Sequence, residues 1–137
     1  NFIVGFPGET EAEFDDLVSF LTDARLDYVG VFGYSNEDGT EAVGHTGHLD
    51  QDEVDARVET LTELVDELCN QRAEDRIGER VSVLVERVDS DDIEGRAEHQ
   101  GPEVDGTTRV NTLAPIGSLV QAVVVASDGV DLIAEAI

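Results

Sequence analysis

The apolar positions of this chain change their period once. Phe2, Ile3 and Val4 form a continuous apolar run that Gly5, Pro7 and Gly8 interrupt, which predicts a buried strand followed by a turn. Thr10 and Glu13 have the spacing of a capping box, so a helix is expected to start there. Phe14, Leu17, Val18 and Leu21 then recur at the spacing of one helix face, with an end near Arg25. The stretch YVGVFGY, Tyr28–Tyr34, predicts a second strand, parallel to the first because a helix connects them. A loop rich in Gly and polar residues covers 35–49. Asp50 and Glu53 repeat the capping spacing, and Val54, Val58, Leu61, Val65 and Leu68 stripe a helix over 51–74. Cys69, beside that stripe, is expected to be a small packing residue.

Beyond Arg76 the pattern alternates. RVSVLVERV, Arg80–Val88, is a strand, and EGRAEH, TTRVNTL, SLVQAVVVAS and DLIAEAI follow it between Gly, Pro and Asp turns. Five short strands in so little chain predict a small antiparallel, OB-like closed barrel. The expected fold is therefore an α/β piece of strand, helix, strand and helix over 1–75, and an all-β five-stranded barrel over 76–137. Two parallel strands with two helices cannot cover a sheet or close a barrel. The chain is accordingly expected to be the C-terminal piece of a longer protein whose N-terminal portion holds the other strands.

Charge adds a constraint on partners. The 137 residues carry 32 acidic and 8 basic side chains, a net of −24, and every basic one is Arg. Residues 1–75 hold 20 acids and 3 Arg (−17), and residues 76–137 hold 12 acids and 5 Arg (−7). Two readings stand: a surface that suits a basic partner and repels nucleic acid, or adaptation to high salt or a biased base composition of the source. The barrel segment also lacks Phe, Tyr and Trp, so it has neither the basic groove nor the stacking platform that RNA binding uses. One Cys excludes an internal disulfide and an all-cysteine metal site within the chain. No apolar run is long enough for a membrane span and no secretory leader is visible, so a cytoplasmic location is expected. His45 and His48 lie in a Gly-rich loop with no Cys nearby and are not expected to ligate metal; His99 is expected at the surface.

The order of motifs brings a family into view. IVGFPGET before an acidic amphipathic helix, then VGVFGYSNEDGT, then RIGERVSVLVE with a short all-β tail, resemble the end of the radical SAM barrel and the TRAM domain of the methylthiotransferase family. The resemblance covers essentially the whole chain. VFGYSNEDGT and GRAEHQGPEVDG are more similar to the branch that adds a methylthio group to an aspartate of the twelfth small-subunit ribosomal protein. The alternative is the branch that modifies an adenosine of tRNA.

The resemblance implies a transferase that uses S-adenosyl-L-methionine (SAM) and two 4Fe–4S clusters, each held by three Cys. With Cys69 alone, the clusters are expected in the missing N-terminal portion. The chain by itself is then expected to be inactive, with no catalytic residue and no metal ligand of its own. Ile3, Gly5, Pro7, Gly8 and Glu9 are implied to border SAM, with Tyr34, and Ser35 and Glu37 after it, at the end of the second strand, where ligands of α/β barrels gather. The family's Gly-x-Ile-x-Gly-x-x-Glu spacing places its Glu on Gly8, one residue before Glu9. The competing reading is a plain strand-to-helix turn and a solvated loop. The implied partner is a basic ribosomal protein, with Glu94, Glu98, Glu103 and Asp105 as docking residues; the competing readings are a solvated acidic face and a non-catalytic barrel module.

Overall fold

A computed structural model describes residues 1–137, which divide into two compact units, Asn1–Leu68 and Cys69–Ile137. The division falls ahead of the boundary expected at 75, because the last turns of the long helix belong with the second unit: Ala73 is part of the barrel's core.

The first unit opens with β1, Phe2–Val4, and α1, Glu11–Ala24. Thr10 caps α1 in the expected reciprocal way. Its hydroxyl accepts the Glu13 N–H at 3.2 Å, and the Glu13 carboxylate accepts the Thr10 N–H at 2.8 Å. The helix stops where Arg25 takes the left-handed conformation, φ 53°. β2 is Val31–Gly33 and runs parallel to β1 in the register Phe2↔Val31, Ile3↔Phe32, Val4↔Gly33. It is shorter than the Tyr28–Tyr34 expected, because a strand extends only as far as its partner and β1 has three residues. Single hydrogen bonds prolong the ladder, Phe2 N–H to Gly30 O and Tyr34 N–H to Val4 O, both 2.8 Å. A short 3-10 turn, Glu41–Gly44, leads to α2, Gln51–Asp75. Glu53 departs from the expected capping box: its carboxylate accepts from Arg57 at 2.8 Å.

One face of β1–β2 carries the core. Val4, Leu21, Leu61 and Val65 are buried together, with Phe2, Phe14, Leu17, Val18, Val31, Val58 and Leu68 packed around them. The helical stripes read from the sequence thus point at the sheet. Ile3 and Phe32, paired on the other face, are 62% and 55% exposed.

The second unit is a closed barrel of β3 (Arg80–Val88), β4 (Ile93–Arg96), β5 (Thr108–Val110), β6 (Leu119–Asp128) and β7 (Asp131–Ala136), in the order β3-β4-β5-β7-β6. Alternate side chains fill it: Val81, Val83, Val85, Ile93, Val110, Ala122, Val124, Leu132 and Ala134 are all buried. The expectation of an antiparallel barrel needs one correction, since β5 and β7 pair in parallel, Thr108↔Leu132 to Val110↔Ala134. The reason is parity: an odd number of strands cannot alternate direction all the way round a closed ring. A bulge in β3 between Val85 and Arg87 bends the wall over β4. β4 lies so close to β3 that a Cβ on Gly95 would stand 1.9 Å from the Leu84 carbonyl oxygen.

A buried polar knot fixes the parallel seam. Gln100, 3% exposed, accepts the Ala97 N–H (2.9 Å) and the Thr108 hydroxyl (2.7 Å) on Oε1 and donates to Thr107 O (3.0 Å). Thr107 O also accepts the Leu132 N–H at 2.9 Å, so β7 and the Gln100 side chain meet at one carbonyl just ahead of β5. Gln100→Ala leaves the buried Ala97 N–H and Thr108 hydroxyl without their acceptor, while Thr107 O keeps the Leu132 N–H, and should destabilise the barrel by about 2–4 kcal/mol. The check is a urea titration, in which the midpoint should fall with the slope unchanged; a midpoint equal to wild type would show that the knot is dispensable.

Candidate functional site

The C-terminal ends of β1 and β2 carry the densest chemistry of the first unit. Past Val4 the chain turns through Gly5, φ 79°, and Gly8, φ 88°, and the Glu9 N–H donates to Phe6 O at 2.9 Å. Gly5 is required twice. Its φ disfavours any side chain, and a Cβ there would lie 2.7 Å from Val54 Cγ2 on α2.

Glu9 then closes the turn. Its Oε2 accepts the Gly5 N–H at 3.1 Å and its Oε1 accepts from Arg57 Nη1 at 2.6 Å. Arg57 Nη2 donates to Glu53 at 2.8 Å, and the guanidinium carbon lies 5.6 Å from the centre of the Phe14 ring. The Arg57 side chain is 8% exposed. Burial lowers its pKa, but the hydrogen bonds and charges of Glu9 and Glu53 outweigh this, and the net shift is upward. Stability from a raised pKa is complete below the ordinary guanidinium value and is lost only as pH rises through the elevated one. No loss near neutral pH therefore belongs to Arg57.

The loop after β2 returns to this turn. The Gly8 N–H donates to Gly47 O at 2.8 Å. The Phe6 ring meets Tyr34 edge-on at 5.6 Å and His45 at 5.8 Å, and Tyr34 meets His48 at 5.9 Å. Tyr34 Oη donates to Asn36 at 2.8 Å, and His45 stands 3.6 Å from Glu41. Both histidines are loop residues, as expected, and their rings meet the strand-end aromatics edge-on or tilted. Gly5, Pro7, Gly8, Glu9 and Tyr34 thus come together. Ile3 does not join them, since it stands outward on β1. Ser35 and Glu37 are exposed and bonded to each other at 3.3 Å. Arg57 was missed, although an Arg next to the stripe position Val58, in the acidic first half of the helix, was the available signal.

The acids singled out on the barrel are dispersed and mostly engaged. Glu94 accepts from Arg87 at 3.3 Å and lies 3.7 Å from Arg109. Glu98 accepts the Ser82 N–H at 3.0 Å, and Asp105 accepts the Gly101 N–H at 2.8 Å. Glu103 is exposed with φ 68°. His99, expected at the surface, is half-buried. Cys69 is buried on α2, and no three His, Cys, Asp or Glu side chains are grouped to hold a metal ion. A single buried thiol does not fit an iron–sulfur cluster. No helix is long and apolar enough to cross a membrane.

Residues 77–137 match the TRAM domain family, so the barrel unit is a TRAM domain. Across both units the chain is similar to proteins named ribosomal protein uS12 methylthiotransferase RimO. It is 61% identical over 135 residues to the protein of Saccharopolyspora erythraea, which covers 97% of this chain and 28% of that one. It is 58% identical over 137 residues to that of a Nocardioides species (96% and 28%) and 59% identical over 136 residues to that of Cutibacterium acnes (98% and 28%). The chain is thus homologous to a segment of the RimO methylthiotransferases and spans less than a third of their length.

Arg57→Met should destabilise the first unit by about 3 kcal/mol, because it leaves the Glu9 carboxylate without its cation. Adding Glu9→Gln to Arg57→Met should recover part of that loss. The check is a double-mutant cycle by chemical denaturation; strictly additive effects would show that the pair is not coupled.

Proposed function

We propose that this chain is part of a radical SAM methylthiotransferase that adds a methylthio group to an aspartate of ribosomal protein uS12. The observation that carries the reading is identity of 61% to a RimO protein running over 97% of the chain, through both units. In this reading β1, α1, β2 and α2 complete a SAM-binding α/β barrel whose other strands lie in the rest of the enzyme.

The strand-end turn suits a ligand at close range: an added Cβ on Gly8 meets no atom within 4 Å, and Phe6 is 43% exposed. SAM would lie along the backbone of Gly5–Gly8 and the rings of Phe6 and Tyr34, and when bound it would supply the radical chemistry and the methyl group. Ile3 would face the barrel interior beside it. Glu9 would position the turn through Gly5 and Arg57. The two 4Fe–4S clusters would be held by cysteines elsewhere in the enzyme. The acidic barrel, with Glu94, Glu98, Glu103 and Asp105, would meet the basic substrate protein in the cytoplasm.

The test replaces the homologous segment of the Saccharopolyspora erythraea RimO with this chain and analyses uS12 and tRNA by mass spectrometry after anaerobic reaction of the cluster-loaded chimera with SAM, a one-electron reductant and sulfide as the sulfur source. The expected product is uS12 with one aspartate hydrogen replaced by a methylthio group. A folded chimera that modifies tRNA, or neither substrate, would overturn the reading. The isolated chain, after anaerobic treatment with iron and sulfide, should bind no stoichiometric cluster and cleave no SAM; sustained cleavage would contradict the placing of both clusters outside it.

A further inference from the structure

Each half of β3 has one strand neighbour. β6 pairs with Arg80–Leu84, whereas β4 pairs with Leu84–Val88. Beside the second half the missing neighbour is replaced by a turn: the Val85 N–H donates to Ser118 O, and Val85 O accepts the Gly117 N–H. Beside the first half a side chain does the work. Glu98 Oε1 accepts the Ser82 N–H at 3.0 Å, where a carbonyl of an adjacent strand would otherwise stand.

A groove of about 370 Å³ runs along this edge, with Ser82, Leu84, Arg96, Glu98 and Leu119 in its wall. Leu84 and Leu119 are cross-strand partners, and Leu119 is 67% exposed. Arg96 is neutralised by Glu86 at 2.7 Å and also lines a second hollow, with Glu86 and Glu103. The path from the β3 edge past Arg96 therefore offers backbone acceptors and donors, an aliphatic wall and an excess of carboxylates.

We propose that the β3 edge at Arg80–Ser82 seats an extended, basic segment of the substrate protein, which adds to the barrel as a further strand; this rests on the methylthiotransferase reading above. A half-paired edge selects an extended chain, because main-chain hydrogen bonds supply the affinity and pockets for alternate side chains the specificity. Leu84 and Leu119 take an aliphatic side chain at one position. The incoming carbonyl takes over the Ser82 N–H, and the released Glu98 carboxylate pairs with a Lys or Arg at another. The net charge of −7 over residues 76–137 and their lack of Phe, Tyr and Trp favour a basic protein over RNA as the occupant.

The test measures amide exchange along the 137-residue chain with and without purified uS12, and in a separate arm with tRNA at the same ionic strength. Saturation with uS12 should slow exchange at Arg80–Ser82. Leu84→Arg with Leu119→Arg should weaken uS12 binding about tenfold or more. Glu98→Gln, which keeps an acceptor for Ser82, should weaken binding at low salt, with a difference that shrinks as salt screens it. Unchanged exchange in β3 on saturation, wild-type affinity in the variants, or tighter binding of tRNA would overturn the proposal. The two readings separate in the chimera. If it methylthiolates uS12 and the leucine variants leave KM unchanged, the docking edge alone is wrong; if it leaves uS12 unmodified, the functional reading itself fails.

Discussion

The contact between Glu9 and Arg57 governs the first unit. A guanidinium this deeply buried is tolerable only where carboxylates surround it. Glu9 supplies one of them from the strand-end turn, and Glu53 supplies the other from the preceding turn of α2. The same Glu9 carboxylate holds the Gly5 N–H, so one side chain fixes both the path of the turn and the place of α2 beside β1. Val54 against Gly5 completes the fit, since the helix can approach that closely only where the strand has no Cβ. The aromatic group of Phe6, Tyr34, His45 and His48 is then displayed from a turn whose conformation is already set.

The barrel meets a different constraint. A ring of five strands must contain a parallel pair, and parallel neighbours cannot be joined by a tight hairpin. The chain between β4 and β5 has to travel, and its backbone groups need partners in a small interior. Gln100 answers both needs from inside, and Asp131 helps from β7 by accepting the Thr107 N–H at 2.7 Å. The interior is otherwise filled by Val, Ile, Leu and Ala, which suits a barrel of this size.

Acidity acquires a local meaning from these positions. The carboxylates of Glu98 and Asp105 are bound to backbone N–H groups, and that of Glu94 faces two arginines. They stabilise loops and strand edges in the free protein. Glu98 differs from the others in that its place on Ser82 lies beside an aliphatic groove, where an incoming strand can substitute for it.

The sequence by itself determined the order of elements, the capping of α1, the inward stripes of both helices and the alternation that fills the barrel. Those features follow from local spacing, because side-chain direction in a helix or strand is fixed by its period. It also carried the resemblance to the methylthiotransferases in GFPGET and GPEVDG. What only the tertiary structure decided were relations between residues far apart in the chain. Arg57 reads as one more surface charge until Glu9, 48 positions away, is found against it. His45 and His48 are exposed loop residues whose ring contacts with Phe6 and Tyr34 exist only once the loop folds back. The shortness of β2 depended on the length of its partner, and the half-free edge of β3 on where β4 stops. None of these is encoded in a local pattern, because each is a contact whose two sides are specified separately and meet only when the chain is folded.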